Sequence, residues 1–180
     1  MAQPSADPSG DRGASVRLLW TGFAVLLLDQ VVKKLVVSLM ALGDSVDVLG
    51  PAVRLTRTEN TGAAFGLLRG RSAIFIAISA VAAVAIVAFR REIAKLRRSE
   101  QLAFALVLGG ALGNLADRVR RGGAVVDFID IGIRDLRWPA FNVADSAIVV
   151  GVTLLAVRFL FFARPGAPDA LPPSPDRGTQ

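Results

Sequence analysis

Apolar residues in this chain gather into four long runs, about residues 16–40, 72–89, 102–118 and 142–163, divided by polar stretches rich in arginine and glycine. Each run approaches or exceeds the roughly 20 residues that a helix needs to cross a hydrocarbon core. The first run stays apolar past Asp29 and Lys33 and has no small-residue cleavage pattern, so it reads as a retained span rather than a signal peptide. Between the runs the period changes. Residues 53–57 and 128–131 alternate apolar and polar, which predicts short strands, and Gly43, Gly50-Pro51 and Gly122-Gly123 punctuate them as turns. The pattern predicts an all-α membrane protein with four transmembrane helices and a small extracytoplasmic β platform.

Composition supports that class. Of 180 residues, 53% are hydrophobic, too many for an ordinary soluble domain of this size. Residues 1–14 and 164–180 are rich in Pro, Ser, Gly and Asp and read as disordered tails around a membrane domain at 15–163. The net charge is +6, but no basic stripe is interleaved with stacking aromatics, so nucleic acid is not the expected partner. Five basic residues lie within 90–98, which places this short connection in the cytoplasm by the positive-inside bias. Four spans then put both termini in the cytoplasm and the connections 41–71 and 119–141 outside.

The chain has no histidine, cysteine or tyrosine. That removes imidazole bases, thiol nucleophiles, thiolate metal sites and disulfides. No metal or cofactor is expected, and carboxylates are left as the leading acid–base groups. Asp127 and Asp145 stand out because both sit in near-apolar surroundings, where a carboxylate costs several kcal/mol unless paired or neutralised. Pro139 marks a boundary before the fourth span, which makes Asn142 an N-cap with Asp145 three residues inside the helix. Taken alone, Asp145 reads first as part of a cap. Asp127 follows the third span on the same outer side, so both acids can meet near the water boundary. Two carboxylates in contact share a proton, and one member can activate water while the other acts as acid. Asp29 and Lys33 are four apart on one helix face and read as a structural ion pair.

Several blocks, in order over residues 16–163, carry a family resemblance: Asp29-Gln30-Val31-Val32-Lys33, Thr58-Glu59-Asn60-Thr61-Gly62-Ala63-Ala64-Phe65, the Gly109-to-Arg118 segment, Val125-Val126-Asp127-Phe128, and Phe141-Asn142-Val143-Ala144-Asp145-Ser146-Ala147. The chain resembles bacterial lipoprotein signal peptidase, signal peptidase II. The resemblance implies an aspartic endopeptidase of the bacterial inner membrane, with its site near the extracytoplasmic face; a monomer is expected. It implies diacylglyceryl-modified prolipoproteins as substrates, cut before the lipidated cysteine, and membrane lipids as surroundings. Asp127 and Asp145 are implied as the catalytic pair, and Asn60, Gly62, Asn114, Asp117, Arg118 and Asn142 as the shell that supports the acids and holds substrate.

Each supporting residue also has a plainer reading. Asp117 and Arg118 fit an interfacial ion pair, Asn114 fits interhelical hydrogen bonding, and Gly62 and Gly109-Gly110 fit close packing. A Ser146–Lys33 protease centre is disfavoured, because Lys33 lies beside Asp29 in another helix. A proton-coupled transporter and a non-catalytic scaffold are the rival classes, since intramembrane acids also serve proton relays.

Overall fold

A computed structural model of the chain describes residues 8–62, 71–134 and 136–162. The elements run α1 (Pro8–Leu39), β1 (Ser45–Leu49), β2 (Val53–Asn60), α2 (Ser72–Ala88), α3 (Arg90–Ala94), α4 (Arg98–Arg120), β3 (Val125–Ile133), β4 (Leu136–Arg137) and α5 (Val143–Phe162). The four long helices fall on the four apolar runs. Among them α4 and α5 are long and apolar enough to cross a membrane, and α2 is an apolar helix of 17 residues.

One boundary is corrected. The expected tail over 1–14 is partly helical: residues 8–14 open α1. Pro8 takes the first helical position, where its missing N–H is no loss. Ala14 and Ser15 are buried, and the Ser15 hydroxyl donates to Arg90 O at 3.3 Å, so this end of α1 has a neighbour in α3 that composition alone does not reveal. Ala63, Ala64 and Phe65 of the family motif lie outside the described residues, as does the expected tail at 164–180.

Helix α4 is the central post, packed on α1, α2 and α5. Its small residues set how close those neighbours come. A Cβ on Gly109 would stand 2.5 Å from Gly22 O, one on Gly113 2.7 Å from Asp29 Oδ2, and one on Gly110 would strike Ala144 O. The packing reading of Gly109-Gly110 is what this geometry displays. Outward, Val149, Val150, Val152, Leu154, Val157 and Phe159 of α5 are exposed, an apolar surface that water would not tolerate over such an extent.

The β platform is larger than the alternation implied. It is a four-stranded antiparallel sheet in the order β1-β2-β3-β4. Gly122 (φ +61°) and Gly123 (φ +100°) reverse the chain after α4, with Gly123 N donating to Arg118 O at 2.7 Å, and so deliver β3 beside the end of that helix. Buried Val126 and Phe128 of β3 pack with Val36 of α1. The strand therefore sits on the helix ends rather than in open solvent.

Candidate active site

Two local structures converge at the C-terminal end of α4. Thr58 pairs with Asp127 and Asn60 with Val125 in the β2–β3 ladder. Asn60 is thus a diagonal neighbour of Asp127 on the same face, and its Nδ2 donates to Asp127 Oδ2 at 3.2 Å. The Asn60 Oδ1 is occupied by Gly62 N at 2.9 Å, an Asx turn that fixes which way the amide points.

The second structure is the start of α5. Phe141 pairs with Ile129 of β3, donating N–H to Ile129 O at 3.0 Å and accepting from Ile129 N at 2.8 Å. That bridge lays residue 142 beside residue 127. Asn142 and Asp145 then form a reciprocal cap: Asp145 N donates to Asn142 Oδ1 at 2.9 Å, and Asn142 N to Asp145 Oδ2 at 3.2 Å. With its oxygen so engaged, the fully buried Asn142 turns its NH2 to Asp127 Oδ1 at 2.7 Å.

Asn114 on α4 completes the set. Its Nδ2 donates to Asp145 Oδ1 at 2.7 Å, and its Oδ1 accepts from Lys33 Nζ at 3.0 Å and from Asn142 Nδ2 at 3.2 Å. The orientation of each asparagine is set by a group that can only donate: a backbone N–H for Asn60 and Asn142, an ammonium for Asn114. Every amide consequently presents its NH2 to an acid.

Lys33 is more than half of an ion pair. Its Nζ lies 2.9 Å from Asp29 Oδ2 and 3.1 Å from Asp117 Oδ2, and its side chain is 1% exposed. Asp29 Oδ1 accepts from Ala144 N at 2.9 Å, inside the first turn of α5. Asp117 accepts from Val126 N at 3.2 Å and has Arg121 at 3.8 Å. Asp117 is therefore paired with Lys33 and Arg121, not with Arg118 as the simple interfacial pair would have it. The spacing of Asp29 and Lys33 showed their mutual contact, but no local signal revealed their reach to Asn114, Asp117 and α5.

Asp127, Asp145, Asn60, Gly62, Asn114 and Arg118 all line one cavity of about 710 Å³. Asn142 lies behind it and Asp117 outside it, within the Lys33 cluster. Arg118 places its guanidinium carbon 5.1 Å from the centre of the Phe75 ring, and its buried Nε has no hydrogen-bond partner among the described residues. The remaining wall is mostly apolar, with Phe75, Trp138, Phe141 and Ile148, and adds the polar Ser79 and Ser146. Sequence reading missed Phe75 as a site residue, since an aromatic residue in an apolar run carries no mark of facing a cavity.

Asp127 is 3% exposed. Burial, with the charge of Asp145 added, pushes its carboxyl up to about 7, against the pull of the Asn60 and Asn142 amides and Lys33. A carboxyl in that range exchanges a proton near neutral pH. The cavity thus offers two acids, preset amide donors, a guanidinium group and largely hydrophobic walls. Among the described residues no cluster could hold a metal ion.

Comparison with known proteins gives the family. The family model described as signal peptidase (SPase) II matches residues 21–161. The lipoprotein signal peptidase of Geobacillus kaustophilus is 44% identical over 146 residues, covering 81% of this chain and 94% of that protein. The lipoprotein signal peptidase of Halalkalibacterium halodurans is 43% identical over 136 residues, covering 76% and 86%. A solved bacterial membrane enzyme is similar in fold, with a TM-score of 0.71 and 37% identity over 82% of this chain and 88% of that one. The chain belongs to the signal peptidase II family, the lipoprotein signal peptidases.

Proposed function

We propose that this chain is an intramembrane aspartic endopeptidase that removes signal peptides from diacylglyceryl-modified prolipoproteins, cutting just before the lipidated cysteine with Asp127 and Asp145 as its dyad. The observation that carries this reading is the pair of acids on one cavity, each bound by asparagine amides whose orientation is fixed from behind.

The pair carries one proton between its two carboxyls, and the step is written with Asp127 as the acid and Asp145 as the base. Asp145 takes a proton from water as the water oxygen attacks the scissile carbonyl carbon, and Asp127 protonates the carbonyl oxygen. The tetrahedral intermediate then collapses: the C–N bond breaks, the amine leaves with the proton gathered by Asp145, and Asp127 regains its own. Arg118, which lines the cavity, binds substrate backbone carbonyls through its guanidinium, and Asn60 and Gly62 hold the β2 end of the site. The apolar walls suit an extended signal peptide, and a membrane location keeps the substrate's acyl chains in hydrocarbon.

In this reading α1, α2, α4 and α5 all span the bacterial inner membrane in a monomer. The termini and α3 are cytoplasmic and the sheet is extracytoplasmic. Neither nucleic acid nor a cofactor takes part. Support comes from the apolar surface of α5 and from the basic residues at 90–98, at the opposite end of α4 from the sheet. Cleavage of a lipid-modified preprotein by the purified chain in detergent, with the unlipidated preprotein as control, tests the activity and separates it from transport or scaffolding. A cysteine probe at Ser99, in an otherwise cysteine-free chain, should label only from the cytoplasmic side.

A further inference from the structure

A second polar feature lies at the far end of the bundle, the length of α4 from the dyad. Helix α4 has 23 residues, so its two ends are about 34 Å apart. At its N-terminal end, the start of α1 and helix α3 enclose a cleft of about 590 Å³. Arg12, Arg90, Arg91 and Lys95 line it, against Asp11 and Glu92. Lys95 is taken by Glu92 at 2.8 Å. Arg90 donates to Val87 O at 2.8 Å, which leaves its charge uncompensated. Arg12 and Arg91 have no carboxylate within ion-pair distance among the described residues. The cleft keeps a positive excess that nothing in the described fold neutralises.

The cleft does not end in water. Val16 and Leu19 belong both to its wall and to a separate apolar groove of about 380 Å³ that Trp20 and Phe23 complete. Residues 16, 19, 20 and 23 form one stripe of α1, at i, i+3, i+4 and i+7. Trp20 and Phe23 are 67% and 50% exposed and stand edge to face, 5.9 Å apart. A basic pocket thus runs directly into a hydrophobic channel along a helix, with a tryptophan near the junction, where interfacial anchors belong.

We propose that this cleft and groove bind an anionic glycerophospholipid of the leaflet opposite the dyad, its phosphate among Arg12, Arg90 and Arg91 and an acyl chain along the Val16, Leu19, Trp20 and Phe23 stripe. Charge complementarity selects the headgroup, and the continuity of the groove selects a lipid over free phosphate. The site depends on the membrane placement above but not on the identity of the dyad.

Native mass spectrometry of the full chain in detergent, titrated with phosphatidylglycerol, phosphatidylcholine and inorganic phosphate, tests this. Wild-type protein should retain phosphatidylglycerol in clear preference to phosphatidylcholine, and millimolar phosphate should not displace it. A basic residue near a membrane surface is worth a factor of about five in anionic-lipid binding, so the Arg12→Gln/Arg91→Gln variant should lose about twenty-fivefold for phosphatidylglycerol and little for phosphatidylcholine. Trp20→Ala/Phe23→Ala should weaken both lipids alike. All variants are compared on monodisperse preparations with the wild-type melting temperature, which certifies the fold independently of any activity. Equal retention of the two lipids by wild type would overturn the proposal, as would a preference that survives loss of both arginines. Displacement by inorganic phosphate would reduce the site to an anion pocket and equally defeat it.

Discussion

Asn142 donates its side-chain amide to Asp127 Oδ1 at 2.7 Å while accepting Asp145 N at 2.9 Å, so one residue is both the cap of α5 and the link between the two acids. These roles are separable. Serine caps a helix about as well as asparagine but has no NH2 to reach Asp127. Asn142→Ser should keep its melting temperature near wild type while kcat on a lipid-modified preprotein falls by about a hundredfold, the usual scale for a lost preset donor. A proportional loss of stability and activity would show that Asn142 acts only as a cap.

Asp127→Asn and Asp145→Asn should each abolish turnover and leave a folded protein that still binds substrate, because asparagine matches size but cannot exchange a proton. Asp117 stands apart. It is held by Lys33 at 3.1 Å and Arg121 at 3.8 Å outside the cavity, so Asp117→Asn should cost stability and only part of the activity. Full turnover in Asp127→Asn, with none in a folded Asp117→Asn, would move the dyad.

The raised pKa of Asp127 has a signed consequence. Its folded value of about 7 exceeds the ordinary 3.8, so the native state binds this proton more tightly than the unfolded chain. The contribution to stability is full below the unfolded value and disappears as pH rises through about 7, amounting to about 4 kcal/mol at most. Turnover should also decline above about pH 7, where Asp127 ionises beside Asp145. Thermal unfolding in detergent between pH 4 and pH 8 should be steeper for wild type than for Asp127→Asn; parallel profiles would refute the shift.

Lys33→Met leaves two buried carboxylates without their ammonium and releases the Asn114 amide to flip. Breaking a buried pair from one side costs about 3–5 kcal/mol. The variant should therefore melt well below wild type, and the fraction that folds should show a lower kcat with little change in KM, since Asn114 meets Asp145 and not the bulk of the substrate. Undiminished kcat in the folded fraction would confine Lys33 to a structural role.

Much of the architecture was legible along the chain because lipid and water impose local patterns. Apolar runs of helical length marked α1, α2, α4 and α5, alternation marked parts of β2 and β3, and Pro139 followed by Asn142 marked the start of α5. The first turns of α1 were not legible. Their helical state comes with burial of Ala14 and Ser15 against α3, a contact between residues 75 positions apart that a polar composition conceals.

The sequence by itself determined which chemistry was open: with no histidine or cysteine, and two aspartates in apolar settings, acid–base work falls to carboxylates. Only the tertiary structure decided how those acids are held. The bridge of Phe141 to Ile129 brings Asn142 beside Asp127, and the close approach of α1 to α4 at Gly113 sets Lys33 against Asn114. These partners lie 15 and 81 residues apart, and hydrogen bonds of that separation leave no periodicity to read. They exist because an amide or ammonium buried among apolar helices must find a partner, and the fold alone determines which partner is within reach.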